Sequence, residues 1–228
     1  MSEFDGTEYG AQRSLTSFGD AYGPKSNAIK ARRYLGSRRK RALDVIIALL
    51  GMLVVTAIFI PVVLAIKVSS RGSILYRQRR VGWHDREFDL IKFRSMSVDA
   101  ENDGVAIWAV EHDARITWVG ALLRRTYVDE LPQLWNVLRG EMSIVGPRPE
   151  RPELIDMIVD IVPSFIDRTM AKPGMTGLAQ VRMAYANSIE ESRTKARLDL
   201  LYIRTASTFV DLKLIVQTFG RIVSRSGT

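Results

Sequence analysis

VIIALLGMLVVTAIFIPVVLAI, residues 45–66, is the stretch on which the organisation of this chain turns. Its 22 residues carry no charge. As a helix rising about 1.5 Å per residue, it is long enough to cross a bilayer core of about 30 Å. Pro61 lies inside it and is expected to break or kink that helix. Both flanks are basic: Lys30, Arg32, Arg33, Arg38, Arg39, Lys40 and Arg41 precede the run, and Lys67, Arg71, Arg77, Arg79 and Arg80 come after it. Positive residues favour the cytoplasmic side of a membrane. Three readings stay open from these residues: a kinked span, a hairpin that enters one leaflet and returns, and a buried core helix. A cleaved signal peptide does not fit, because the run begins far from the N-terminus and no small-x-small site succeeds it.

The wider composition agrees with a membrane surface. Between Lys30 and Arg94 stand 15 basic and 4 acidic residues, whereas the whole chain carries a net charge of +8. So strong a local excess calls for an anionic partner. Nucleic acid, an anionic membrane surface or phosphorylated substrates would meet it; because the cations bracket the apolar run, the reading favours a membrane surface and no nucleic acid. The 228 residues make one domain with appendages. With 46% hydrophobic and 25% charged residues, the chain is neither disordered throughout nor fibrous. It has no cysteine, which excludes disulfides, thiolate zinc sites and a cysteine nucleophile. Two histidines, His84 and His112, argue against a histidine metal cluster or a serine–histidine triad.

The chain divides into three regions. Residues 1–29, rich in Gly, Ser, Thr and Asp without an apolar period, read as a mobile tail. Residues 30–70 hold the basic-flanked apolar segment, and residues 71–228 the remaining domain. Ser73–Met96 reads as short strands or a hairpin about Gly82. Residues 97–112 read as a loop, and Ile116–Arg125 as a short helix. Leu131, Leu134, Trp135 and Leu138 fall at i, i+3, i+4 and i+7 of an amphipathic helix, with Pro132 at its start and Gly140 at its end. Helix is expected again over Glu153–Ile166, Ser188–Ile203 and Phe209–Val223. Val145–Pro152 and Lys172–Gly177 read as turns.

Asp129 and Glu130 stand just ahead of the Pro132 helix, where acidic residues serve as caps. Arg124 and Arg125 precede them by four to five residues, and a carboxylate held near cations keeps its ionised, nucleophilic form. Two adjacent carboxylates repel unless a cation intervenes, and Mg2+ held by one or two carboxylates and substrate phosphate oxygens meets that need. Val145-Gly146-Pro147-Arg148-Pro149 presents one arginine between two prolines that fix φ, an arrangement suited to phosphate. Lys92 and Arg94 add two further cations. No G-x-G-x-x-G or P-loop spacing is present.

In order along the chain, Lys40-Arg41-Ala42-Leu43-Asp44, Arg79-Arg80-Val81-Gly82, Lys92-Phe93-Arg94-Ser95-Met96, Asp129-Glu130-Leu131-Pro132-Gln133-Leu134-Trp135-Asn136-Val137, Gly140-Glu141-Met142-Ser143-Ile144-Val145-Gly146-Pro147-Arg148-Pro149, Lys172-Pro173-Gly174-Met175-Thr176-Gly177 and Leu198-Asp199-Leu200-Leu201-Tyr202 resemble the bacterial sugar transferase family, the monotopic phosphoglycosyl transferases. The resemblance implies an α+β, mainly helical fold, with a cytosolic catalytic domain, a re-entrant helix broken at Pro61 and amphipathic C-terminal helices on the interface. It implies transfer of a sugar 1-phosphate from a UDP-sugar to undecaprenyl phosphate, giving a polyprenyl-diphosphate sugar and UMP, as the first step of exopolysaccharide or glycan assembly at the cytoplasmic face of a bacterial inner membrane. Asp129 matches the family's nucleophile, which forms a covalent phosphosugar intermediate, and Glu130 its Mg2+ ligand. Lys92, Arg94, Arg124, Arg148 and Asp199 match positions that support substrate.

Three departures stand out: Ile60-Pro61 where the family usually has Ser-Pro, Asp113-Ala114-Arg115 where it has Asp-Pro-Arg, and Val181–Asn187 in place of an Asn-Gly-Arg-Asn-like element. With no spanning helices ahead of the domain, the chain resembles the family's minimal catalytic form. The competing reading is a catalytically silent membrane scaffold, which has no need of Asp129, Glu130 and Arg148 together.

Overall fold

The computed structural model describes residues 25–97, 115–183 and 188–226. The tail expected over 1–24, the loop over 98–112 with Trp108 and His112, and residues 184–187 lie outside them. The remainder of the expected tail is helical: α1 (Lys25–Leu35) packs on a C-terminal helix through Ala31, which is buried.

The apolar stretch forms α2 (Arg38–Ser69), capped at its start by Ser37, whose Oγ accepts the Lys40 N–H at 3.1 Å. The sequence places a break at Pro61, but α2 runs through it without interruption. Proline removes one N–H and crowds one carbonyl. Its neighbours Ile60, Val62 and Val63 offer no polar side chain, so an unwound turn would leave several backbone groups unpaired where Pro61 leaves one. The helical period also survives the proline. Lys40, Asp44, Ala48, Val55 and Ile66 form one buried stripe with spacings of 4, 4, 7 and 11. Val55 joins the main core, and Ile66 packs with Phe93, Val119 and Leu123. Both ends of α2 therefore rest on the same body. The opposite face exposes Ile46, Leu49, Leu50, Leu53, Val54, Ile60, Leu64 and Val68.

The expected hairpin is present as β1 (Leu75–Val81) and β2 (Glu87–Phe93), antiparallel, with Tyr76 opposite Lys92. Its turn holds His84 and Asp85 in left-handed conformations, φ 53° and 61°. Thr169 Oγ1 donates to Asp85 at 2.6 Å and pins that turn to the domain. Two short helices come next, α3 (Trp118–Arg125) and α4 (Gln133–Arg139). Gly140 ends α4 at φ 82°, in keeping with its expected place.

β3 (Ser143–Val145) pairs in parallel with β4 (Gly174–Thr176); β4 falls inside the turn expected over Lys172–Gly177, and β3 ends where the turn expected over Val145–Pro152 begins. The strands approach so closely that a Cβ on Gly146 would run into the Lys172 carbonyl, and one on Gly174 into the Gly146 amide. The helix expected over Glu153–Ile166 is α5 (Pro152–Val159), which stops before Pro163 and yields to a 3-10 segment, Pro163–Met170. After α6 (Leu178–Arg182) come α7 (Ile189–Thr205) and α8 (Thr208–Ser226). α8 exposes Phe209, Leu212, Val216 and Phe219, spaced 3, 4 and 3 along one face. The chain is thus α+β and mainly helical, and among the described residues one helix is long and apolar enough to be membrane-associated.

Candidate active site

Asp129 and Glu130 lie in a 3-10 turn, Val128–Glu130, between α3 and α4. Tyr127 enters that turn in a left-handed conformation, φ 57°, which costs a non-glycine residue energy and is a feature of functional sites. Asp129 is buried, at 7% exposure. Burial, with the Glu130 charge behind it, pushes its carboxyl up to about 6 against the opposing pull of Lys92, Arg124 and Arg148. Glu130 behaves oppositely. Burial alone would raise it, but Arg148, with Lys92 and Arg80, holds it below the usual carboxylate range. The Arg148 guanidinium grips both carboxylate oxygens, donating from Nη2 to Oε1 at 2.6 Å and from Nη1 to Oε2 at 3.3 Å.

Lys92 projects from β2 with its ammonium 5.1 Å from the centre of the Tyr76 ring. Burial, joined by the charges of Arg80, Arg124 and Arg148 and opposed by Asp129, brings it down to about 8. Asn136 sets the strand that carries it. This fully buried amide accepts the Ile91 N–H at 3.1 Å and donates to the Asp89 carbonyl at 2.8 Å, so α4 closes the free edge of β2. Arg124 Nε donates to Ser95 Oγ at 2.8 Å. Two carboxylates thus face four cations, Lys92, Arg124, Arg148 and Arg80, an excess of positive charge suited to phosphate groups.

Two of the expected substrate residues are engaged elsewhere. Arg94 is buried and donates to the Ser70 carbonyl and hydroxyl at 2.9 and 3.0 Å, fastening the residue that ends α2 to the end of β2. Asp199, at 1% exposure, receives Arg168 Nη2 at 2.6 Å and Nε at 3.1 Å. Arg168 also donates to the Arg148 carbonyl at 2.8 Å. Asp199 therefore meets the backbone of Arg148 through Arg168, and its carboxylate is buried in that pair. Motif spacing does not distinguish a residue that touches a ligand from one that holds such a residue.

In the sequence Arg80 stands as a flanking cation and within Arg79-Arg80-Val81-Gly82, with no place in the site assigned to it. Its partners place it at the site's edge, donating to the Pro149 carbonyl at 3.1 Å and to Gln78 Oε1 from Nε at 3.1 Å and Nη2 at 2.5 Å. Gln78 in turn donates to Tyr76 Oη at 3.3 Å. One signal could have found it: Tyr76, Gln78 and Arg80 alternate along β1, which puts them on one face.

Glu150 gathers the charges behind the arginine loop. Burial would raise its carboxyl, but Lys195, Arg168 and Arg80 override that and hold it at about 2, against an ordinary 4.5. A depressed carboxyl stabilises the fold fully above its ordinary value and loses that contribution as pH falls toward the depressed one. Stability should therefore drop between about pH 5 and 2 by a few kcal/mol, on the order of 3. Glu150→Gln should flatten this acid limb and lower stability near neutrality, where Lys195, Arg168 and Arg80 lose their buried counter-charge. Denaturation midpoints in detergent across that pH range measure both, and an unchanged acid limb would count against Glu150 as the charge that holds the loop.

Residues 35–225 match the family described as bacterial sugar transferase. The chain belongs to the bacterial sugar transferase family. Its similarity extends to individual members. It is 42% identical, over 82% of its length and 70% of the relative's, to the UDP-glucose:undecaprenyl-phosphate glucose-1-phosphate transferase of Caulobacter vibrioides. It is 41% identical, over 81% of its length and 94% of the relative's, to the exopolysaccharide production protein PSS of Rhizobium leguminosarum bv. phaseoli. It is 35% identical, over 82% of its length, to the UDP-N-acetylgalactosamine-undecaprenyl-phosphate N-acetylgalactosaminephosphotransferase of Aeromonas hydrophila, of which it spans 44%. Several relatives are much longer, and this sugar transferase chain spans about two-fifths of their length.

Proposed function

We propose that the chain transfers a sugar 1-phosphate from a UDP-sugar to undecaprenyl or another polyprenyl phosphate. The observation that supports this most directly is a buried carboxylate, Asp129, surrounded by the charges of Lys92, Arg124 and Arg148 beside the Glu130–Arg148 pair. A carboxylate oxygen of Asp129 attacks the phosphorus that bears the sugar. The bond from that phosphorus to the bridging oxygen breaks, and UMP departs with the electron pair. Asp129 then carries the phosphosugar covalently until an oxygen of the polyprenyl phosphate attacks the same phosphorus and frees it. Lys92, Arg124 and Arg148 meet the charge that gathers on the non-bridging oxygens, the main demand of phosphoryl transfer. A scaffold has no use for this arrangement.

Mg2+ suits the donor set. Among the described residues no cluster of three or more acidic or histidine side chains exists, so a cage built wholly of protein groups does not fit. A single adjacent pair, Asp129 and Glu130, does fit an ion that completes its shell with phosphate oxygens and water. Glu130 is the ligand assigned, and the ion would neutralise diphosphate charge. To hold the ion, Glu130 would have to be free of Arg148 at one oxygen at least, which would leave that guanidinium available to the diphosphate.

The membrane completes this reading. α2 is about 48 Å long at 1.5 Å per residue, well beyond the bilayer core. Both of its ends rest on one domain, which supports a chain seated in the cytoplasmic leaflet with both flanks on one side. α8 lays its exposed apolar face on the same interface. Because the wild type has no cysteine, Arg39→Cys and Arg71→Cys can be read singly with a membrane-impermeant thiol reagent in oriented vesicles. Labelling of both from the same side is expected, and labelling from opposite sides would refute the arrangement.

The reaction is tested by UMP release from purified protein with Mg2+, over a panel of UDP-sugars, with and without undecaprenyl phosphate. Turnover that requires the acceptor and favours one sugar establishes the class and names the donor. Absence of turnover from folded, membrane-bound protein would sink the reading.

A further inference from the structure

We propose that Lys40 and Asp44, at the root of the apolar helix, are positioning residues for Arg148. The inference rests on the reading of Arg148 as part of the site. These two residues bracket the junction of the basic run and the apolar run, where they look like a topological charge signal. The structure gives them other work. Lys40 and Asp44 are 4% and 3% exposed. The three protons of the Lys40 ammonium have three acceptors: Asp211 at 2.7 Å, Asp44 at 3.2 Å and the Val145 carbonyl at 3.2 Å. Asp44 Oδ1 accepts the Ile144 N–H at 3.0 Å and lies 2.9 Å from Ser143 Oγ. Tyr202 Oη lies 3.0 Å from the same Val145 carbonyl and 2.8 Å from Asp211.

β3 is thereby fixed by α2 at three successive residues, Ser143, Ile144 and Val145, and the loop beyond Val145 is too stiff to absorb a displacement. The Gly146 N–H donates to the Thr176 carbonyl, and the Gly174 N–H to the Pro147 carbonyl, both at 2.8 Å. Pro147 and Pro149 fix φ on either side of Arg148. A shift at Val145 therefore passes to the guanidinium, which must match Glu130 and phosphate in a planar, two-point geometry. Lys40 supplies a rigid three-point joint where a surface cation would supply only charge.

The test is a double-mutant cycle read with hydrogen exchange. Asp44→Asn keeps the shape and an acceptor but removes one of the two carboxylate charges that hold Lys40, the one that also accepts from β3. In the wild-type background it should lower kcat/KM about 10-fold, and in the Arg148→Ala background less than about 2-fold. Amide exchange in the peptide over residues 143–151 should quicken, while the β1–β2 peptide over 75–93 stays unchanged. Should Asp44→Asn fail to fold, Ser143→Ala, which removes only the hydroxyl between Asp44 and Val145, enters the same cycle. Multiplicative losses in the two backgrounds, or unchanged exchange over 143–151, would overturn the proposal. If the wild type turns over no donor, the transferase reading fails by itself, and the exchange comparison still decides whether this joint holds the arginine loop.

Discussion

Asp129→Asn is expected to abolish UMP release and, at the same time, to make the protein more stable. The loss of turnover stems from the proposed role. An amide cannot take the phosphosugar and leave again, so activity should fall by at least about 10^3-fold, as losses of covalent nucleophiles do. The gain in stability stems from burial. Asp129 is 7% exposed, and its carboxyl is pushed up to about 6 from an ordinary 3.8. A carboxyl raised by folding costs the native state nothing below the ordinary value, increasingly more as pH rises to the raised one, and the full amount above it. Near neutrality without metal that cost is about 2–3 kcal/mol, and the neutral isostere removes it. Melting in EDTA and detergent should rise by several degrees, while sedimentation with vesicles stays unchanged. Retained turnover would remove Asp129 from the nucleophile's place. A lower melting temperature would show that its negative charge supports the fold.

Arg148→Lys should lose about 10^2- to 10^3-fold in kcat/KM although it keeps the charge. Arg148 meets Glu130 with two nitrogens on two oxygens, and its carbonyl is held by Arg168. A lysine places a single ammonium on a freer stem. It can serve one oxygen of Glu130 or one of the diphosphate, but it cannot span either pair. Rate measurements on this single variant separate planar recognition from simple charge, and near wild-type turnover would show that charge suffices.

Much of this arrangement is legible in the sequence, for local reasons. The i, i+3, i+4, i+7 pattern and Gly140 locate α4, and the carboxylate pair before Pro132 locates the centre of the site. The hidden part depends on partners distant along the chain. β3 and β4 are three residues each, and their pairing rests on glycines pressed together across some 30 positions, which no local period reports. Asp199 and Arg94 carry motif signatures yet serve Arg168 and Ser70, because a motif preserves the residues that position as well as those that touch. The break expected at Pro61 reflects proline's local chemistry, whereas packing along the whole of α2 decides the outcome.

The basic and apolar halves of α2 bear on how a soluble form of this protein could be engineered. Arg41 donates to the last carbonyls of α4, those of Val137 and Leu138, at 2.6 Å each, and Lys40 and Asp44 complete β3. Gly51 lies against Leu134, and Ile66 closes the cluster around Phe93. Truncation before β1 would therefore remove a wall of the enzyme along with the apolar helix, and leave carbonyls, an amide and apolar side chains of the remaining domain bare. The side chains that can be exchanged for polar ones are those of the outer stripe, from Ile46 through Leu53 and Ile60 to Val68, which point away from the domain. Solubility is to be sought by repainting this helix, since it cannot be cut away.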